Sequence, residues 1–223
     1  MNTIKLRFLS FFILIFGVTS CSSQKELIKE GQELQLISIE FEFTEGPASD
    51  AEGNVYFTDQ PNNRIHKWSV EDGTISVFME NSGRANGLYF DDDGNLLAAA
   101  DKNSEIWKIN PEKDVEVLVD SYQGKRLNGP NDLWIAPDGG FYFTDPYYQR
   151  DYWERTEKEI EEERVYYMNP QGEISIVVDD MEQPNGIIGT PDGKTLYIAD
   201  IGANKTYSYK INRDGSLSDK KLF

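Results

Sequence analysis

The sequence predicts an all-β fold, a β-propeller of four-stranded antiparallel blades set around an axis. Three observations predict it. A glycine in an Asp- or Pro-rich turn recurs at Gly53, Gly94, Gly139 and Gly193, with spacings of 41, 45 and 54 residues. Repeats near this length, each holding several short strands, are the signature of a propeller. Short alternating runs cut by Gly, Pro, Asn and Asp supply those strands. The aromatic content of 13% leans the same way.

Each repeat has the same order. A polar slot eight residues before the turn glycine opens it: Glu45, Asn86, Asn131 and Asn185. A first strand follows, as in Gly87-Leu88-Tyr89-Phe90, and then the acidic glycine turn. The second strands are Asn54–Phe57, Asn95–Ala98, Phe141–Phe143 and Thr195–Ile198, and each run ends at an aspartate: Asp59, Asp101, Asp145 and Asp200. The default role of these aspartates is to tie strand to loop. The third strands alternate in character: Arg64–Trp68, Glu105–Ile109, Arg164–Met168 and Lys205–Tyr209. Fourth strands follow at Ile75–Phe78, Val115–Leu118 and Ile174–Val177. The last repeat reads as stopping before its fourth strand, at Lys220-Lys221-Leu222-Phe223. Four repeats make a partial ring, which reads most simply as the front part of a longer protein.

The third repeat carries an insert, Tyr147 to Glu163. Its Glu/Lys-rich half suits one or two helical turns and reads as a solvated excursion. Its Tyr147, Tyr148, Tyr152 and Trp153 are expected at a pocket rim.

The polar slot carries the chemistry. The first strand of a propeller blade lines the central channel, so the four slot residues should converge at one mouth. One carboxylate with amide oxygens suits a hard cation, Ca²⁺ above all, or Mg²⁺. With one His and one Cys in the chain, a conventional all-protein Zn²⁺ site of N/S ligands is excluded, although catalytic Zn²⁺ or Mn²⁺ is not. The competing reading is structural, because Asn before Gly takes left-handed turns easily and caps backbone groups. That suits Asn86 as well as a channel role does, and suits Glu45 poorly. No nucleophilic triad is legible, and His66 has no assigned role.

The formal charge is −17, from 22 Lys+Arg and 39 Asp+Glu. Such a surface repels nucleic acid and anionic membrane. Residues 1–20 read as a lipoprotein signal peptide. Lys5 and Arg7 precede the apolar run Phe8–Val18, which is too short to span a bilayer, and Val18-Thr19-Ser20-Cys21 resembles a lipobox. Cys21 is the lipidation candidate. Loss of the two leader cations would leave a mature charge of −19. Residues 21–38 read as a polar tether and 39–223 as the partial propeller. The expected address is the bacterial cell envelope, with the outer membrane preferred because no aspartate follows Cys21.

Three stretches carry a family resemblance: Glu45-Gly46-Pro47, the run Lys125–Asp132 followed by Asp138–Pro146, and Gln183-Pro184-Asn185-Gly186. In this order, over residues 40–223, they resemble the gluconolactonase branch of the family of senescence marker protein, gluconolactonase and luciferin-regenerating enzyme. The resemblance implies six blades in the intact fold, an axial divalent cation and lactone hydrolysis. It implies Glu45 and Asn185 as metal ligands and Asn131 as a substrate contact, with Asn86 a weaker one. The third ligand, also the catalytic acid/base, would be an Asp beyond Phe223. Gly129 stands where some relatives carry an arginine. The expected function is therefore metal-dependent hydrolysis of a small lactone by a membrane-tethered propeller. The alternatives are a non-catalytic carbohydrate- or protein-binding propeller lipoprotein, and an inactive fragment lacking later blades.

Overall fold

The computed structural model describes Gly31 and residues 33–223, of which residues 40–223 form one compact unit. The leader 1–20, Cys21 and most of the tether lie outside the described residues. Four antiparallel sheets follow one another along the chain. The first holds β1 (Thr44–Ser49), β2 (Val55–Asp59), β3 (Arg64–Trp68) and β4 (Ile75–Glu80). The second holds β5 (Ala85–Phe90), β6 (Leu96–Ala100), β7 (Glu105–Ile109) and β8 (Val115–Val119). A small hairpin, β9 (Ser121–Tyr122) and β10 (Lys125–Arg126), leads to the third: β11 (Leu133–Ile135), β12 (Phe141–Asp145), β13 (Arg164–Met168) and β14 (Ile174–Val178). The fourth holds β15 (Pro184–Gly189), β16 (Thr195–Asp200), β17 (Lys205–Ile211) and β18 (Leu217–Leu222). In every blade the strands pair in chain order. This is the propeller topology that the repeat predicts.

The fourth blade is a correction to the sequence reading, since it has its fourth strand, β18, paired to β17 through Tyr207↔Leu222 and Ile211↔Leu217. The segment Leu217–Leu222 is too polar to announce itself. Outer strands need little hydrophobicity, because in the second blade the outer β8 likewise leaves Val115 and Val117 exposed.

The core lies between consecutive blades. Tyr56, Ile65, Leu88, Leu96 and Ile109 pack the first blade on the second. Leu97, Ile106, Leu133, Phe141, Phe143 and Tyr166 pack the second on the third. Trp134, Tyr142, Tyr167, Leu196, Ile198 and Tyr209 pack the third on the fourth. Large aromatic side chains suit this geometry, because twisted sheets leave wide gaps between them that each ring can fill with 150–250 Å² of buried surface.

The insert between β12 and β13 forms no helix, contrary to the expectation for its charged half. Neither is it wholly solvated. Ile160 is buried with the second-to-third blade cluster, Glu159 accepts the Arg126 N–H at 2.9 Å, and Lys158 pairs with Glu163 at 2.8 Å. One apolar anchor is enough to fix a segment whose local charge pattern suggests a free helix.

Candidate functional site

Three of the four inner strands, all but β11, carry one extra residue at the slot. Between Glu45 and Ala48 the first strand advances three residues while its partner moves two, from Thr58 to Tyr56. The same two-for-three mismatch separates Ala85 from Leu88 and Pro184 from Ile187. Such bulges sharpen the local twist and re-aim a side chain. Here they fall at the slots of the first, second and fourth blades. Glu45, Asn86, Asn131 and Asn185 all line one cavity of about 450 Å³, together with Asp132, Leu88, Tyr89, Leu133 and Ile187. The convergence expected of a blade-start position is thus present.

Strand-end aspartates hold these slots by a repeated clamp. Asp59 accepts the Glu42 and Phe43 N–H groups at 3.2 and 3.1 Å. Asp145 accepts those of Asn128 and Gly129 at 2.9 and 2.8 Å. Asp200 accepts those of Glu182 and Gln183 at 3.1 and 2.9 Å. In all three blades the clamped residues stand three and two positions before the slot. Neighbouring blades add a second tie: Thr58 Oγ1 donates to the Asn86 carbonyl at 3.1 Å and Thr144 Oγ1 to that of Asn185 at 2.7 Å. The second blade differs. Its loop is held instead by Asn63, whose Oδ1 accepts the Arg84 N–H at 2.7 Å. That leaves the Asp101 carboxylate for the insert.

Asp132, to which the sequence motifs assign no separate role, lines the same cavity. It follows the slot in the third blade, where the other blades have Gly46, Gly87 and Gly186. That substitution is the signal that could have found it. Its carboxylate accepts the Leu133 N–H at 2.9 Å and, across to the fourth blade, the Ile187 N–H at 3.0 Å. A Cβ on Gly87 would lie 2.2 Å from Asp132 Oδ1, so that glycine makes room for the bridge. Burial, with the Glu45 charge adding to it, pushes the Asp132 carboxyl up to about 7, against the two N–H bonds that favour its charged form.

The slot amides differ among themselves. Asn185 Nδ2 donates to the Tyr148 hydroxyl at 3.1 Å. Asn86 and Asn131 are 4% and 6% exposed, and among the described residues their amide side chains have no hydrogen-bond partner, so they face the cavity unengaged. Glu45 reaches only its neighbour's N–H, at 3.4 Å. No three His, Cys, Asp or Glu side chains converge as a metal cluster among the described residues.

Of the four insert aromatics expected at the rim, none lines the 450 Å³ cavity itself. Tyr148 reaches it through Asn185. Tyr152 donates to Asp101 Oδ2 at 2.5 Å and Trp153 Nε1 to the Asp101 carbonyl at 3.1 Å. Trp153 also explains Gly129: a Cβ there would fall 2.9 Å from Asp101 Oδ1 and 3.0 Å from the Trp153 ring, so no arginine fits. His66 is buried between Phe41 and Phe57, with ring centroids at 4.8 and 5.4 Å, and stands apart from the cavity.

Comparison with known proteins agrees with this architecture. A gluconolactonase of Zymomonas mobilis is 30% identical over 85% of this chain, which spans 58% of that protein. The solved gluconolactonase of Xanthomonas campestris is 30% identical with a TM-score of 0.78, over 84% of this chain and 64% of that one. The calcium-binding regucalcin of Agrobacterium tumefaciens, 20% identical with a TM-score of 0.63 over 82% of this chain and 59% of its own, shares the fold. The model of the SMP-30/Gluconolactonase/LRE-like region matches residues 43–223, and the chain belongs to that family.

Proposed function

We propose that this chain builds the metal- and substrate-holding part of a lactone hydrolase tethered to the bacterial cell envelope. The observation that carries the reading is the single cavity lined by Glu45, Asn86, Asn131 and Asn185, two of whose amides are buried yet unengaged. Family membership and the gluconolactonase relatives support the reaction class.

The donor set fits a hard divalent cation, with Ca²⁺ preferred over Mg²⁺, Mn²⁺ or Zn²⁺. Glu45 would supply the carboxylate and Asn185 an amide oxygen. When bound, such a cation supplies Lewis-acid polarisation of an ester carbonyl. Asn131 and, more weakly, Asn86 orient the lactone through hydrogen bonds to its ring and hydroxyl oxygens. Leu88, Leu133 and Ile187 make the apolar wall against which the ring lies. Asp132 braces the strands, its two oxygens being engaged by backbone N–H groups. Proton transfer from the attacking water is assigned to the family's later Asp-Gly carboxylate, not to Asp132.

The experiment is acid release from glucono-δ-lactone by the full-length protein, followed with a pH indicator. Chelation should abolish turnover and added cation restore it. Glu45→Gln and Asn185→Ala should each lower kcat/KM by ~10²-fold or more, as for loss of a group that stabilises developing charge. Unchanged turnover in both variants refutes the reading. The tether rests on the Phe8–Val18 run and Cys21. Cys21→Ala should move the protein from the membrane to the soluble fraction, and an unchanged distribution refutes it.

A further inference from the structure

Three slot asparagines line one cavity, yet only one has its amide fixed. An amide side chain presents an oxygen on one side and an NH₂ on the other, and can turn to offer either. A cation ligand must keep its oxygen inward, whereas a group that binds hydroxyls gains from being able to offer both. Asn185 Nδ2 is taken by the Tyr148 hydroxyl at 3.1 Å, which leaves Oδ1 for the cavity. Asn86 and Asn131 have no such partner.

Tyr148 is itself held from a distance. The Arg150 guanidinium lies 5.0 Å over its ring. Arg150 Nε donates to Asp101 Oδ2 at 2.8 Å, and the Asp101 side chain is 3% exposed. The same carboxylate accepts Gln60 Nε2 at 3.0 Å and the Tyr152 hydroxyl at 2.5 Å. Tyr152 stacks under Arg84, with 4.1 Å from guanidinium carbon to ring centroid. Arg155 donates to the Leu127 carbonyl at 3.1 Å, to Ser104 Oγ at 2.9 Å and to the Asn128 carbonyl. At the other end of the insert, Gln183 Nε2 donates to the Tyr147 carbonyl at 3.5 Å. The insert is therefore a strap crossing the slot end of the ring. It touches the first blade at Gln60, the second at Asp101, the third at Asn128 and the fourth at Asn185. Its hub is Asp101, the one strand-end aspartate without a loop to clamp.

We propose that Tyr148 is a positioning residue for the reaction, fixing the Asn185 amide with its oxygen towards the shared centre, and that the Asp101–Arg150 pair holds Tyr148 in place for this task. The proposal rests on the reading of Asn185 as a cation ligand. It also rests on a contact that sets Asn185 apart from Asn86 and Asn131. Outer partners that orient a ligand commonly matter about as much as 10–100-fold in affinity when removed.

The test is Tyr148→Phe in the full-length protein, which keeps the ring under Arg150 and deletes the hydroxyl. Tyr209→Phe, which deletes a buried hydroxyl remote from the cavity, is the control. Calorimetric titration with Ca²⁺, Mg²⁺, Mn²⁺ and Zn²⁺, each alone, reads the ligand. The side-chain amide signals of Asn185 in a ¹H–¹⁵N spectrum, assigned with Asn185→Asp, read the bond itself without any metal. Tyr148→Phe should bind the preferred ion about 10-fold more weakly, shift the Asn185 amide signals, and lower kcat with little change in KM. Arg150→Gln should move all three in the same direction by less, and Tyr209→Phe should move none. Wild-type affinity and unshifted Asn185 signals in Tyr148→Phe, with binding still lost in Glu45→Gln, overturn the positioning role and leave the hydrolase reading intact. Absence of binding of any of the four ions by the wild-type protein overturns both.

Discussion

Asp200→Asn isolates the clamp that starts the fourth blade. The Asp200 carboxylate accepts the Glu182 N–H at 3.1 Å on Oδ2, and those of Gln183 and Ala203 at 2.9 and 3.3 Å on Oδ1. The residue is 2% exposed, so water cannot replace the carboxylate. Asparagine keeps one oxygen. Placed at the Oδ1 position, it saves the Gln183 and Ala203 bonds in neutral form and sets its NH₂ against the Glu182 N–H. A hydrogen bond to a charged acceptor contributes about 1.5–3 kcal/mol. Loss of that bond with weakening of the two retained ones gives about 2–3 kcal/mol in all. In a domain of this size that is roughly a 4–12 °C fall in Tm. Urea unfolding followed by tryptophan fluorescence would read it as a lower midpoint at unchanged slope. Asp92→Asn, in an exposed turn, is the control and should stay within about 0.5 kcal/mol. The variant should also weaken cation binding, because residues 182 and 183 fix where β15 begins and so where Asn185 points. A stability no different from the control would show that the strand-end aspartate is not holding the slot loop.

Gly87→Ala should destabilise by about 2–4 kcal/mol, as for steric overpacking at a rigid site, since its Cβ would meet Asp132 Oδ1 at 2.2 Å and the Asn131 carbonyl at 2.8 Å; a Tm within 2 °C of wild type, against the ~2–4 °C per kcal/mol expected, would refute the close approach at the axis. His66 is buried with Nε2 unpartnered, and burial holds its pKa below 6.5. The folded state therefore binds this proton less well than the unfolded chain, and the His66 contribution to stability is lost as pH falls through the imidazole range. His66→Phe, which keeps the stack with Phe41 and Phe57, should be more stable than wild type at pH 5 and close to it at pH 8; an equal difference at both pH values refutes the assignment. Burial pushes the Asp145 carboxyl the other way, up to about 7, against the bonds from Gly129 and Asn128 and the Arg155 charge. Its contribution is present below its unfolded pKa and lost as pH rises through 7, so the stability gap between wild type and Asp145→Asn should be wider at pH 5 than at pH 8. A gap that widens with pH would reverse the sign and refute it.

The repeat made most of the fold legible. Turn glycines, alternating third strands and strand-end aspartates recur because each blade solves the same packing problem, and a repeated solution shows through in one sequence. The slot was legible for the same reason: a polar residue kept at a blade start has no core to enter. The bulges were not, since an extra residue in one strand leaves no mark until its partner is known. β18 was missed because Leu217–Leu222 is an outer strand with mostly exposed side chains, and period-2 hydrophobicity fades where one face meets water. The strap was only half read. Its aromatic residues pointed to the site, but Ile160 and the Asp101 hub depend on contacts that span dozens of residues, which no local pattern encodes. Asp101 looks identical to Asp59, Asp145 and Asp200 in sequence and does something else.

That last case carries the general argument. Three blades use the strand-end aspartate as a clamp, and three follow the slot residue with glycine. A clamping carboxylate is occupied by nearby groups, and Asp59 and Asp200 also take Asn62 Nδ2 and the Ala203 N–H. Freeing one requires that another group take over the loop, and Asn63 does so through Arg84 N. Only then can Asp101 collect Gln60, Arg150 and Tyr152 from three directions. The same logic applies at the axis. Glycine after the slot lets inner strands approach closely but offers no side chain; one aspartate among them, Asp132, uses that space to bridge the third and fourth blades. A second aspartate at the Gly87 position would set two carboxylates in the space that one fills, close to Glu45, and repulsion would force protonation or separation. Glu45 is the departure within the slot itself, one carboxylate among three amides. On the proposed reading, one slot carboxylate beside neutral amides, with Asp132 engaged by backbone N–H groups, suits one cation better than four slot acids would.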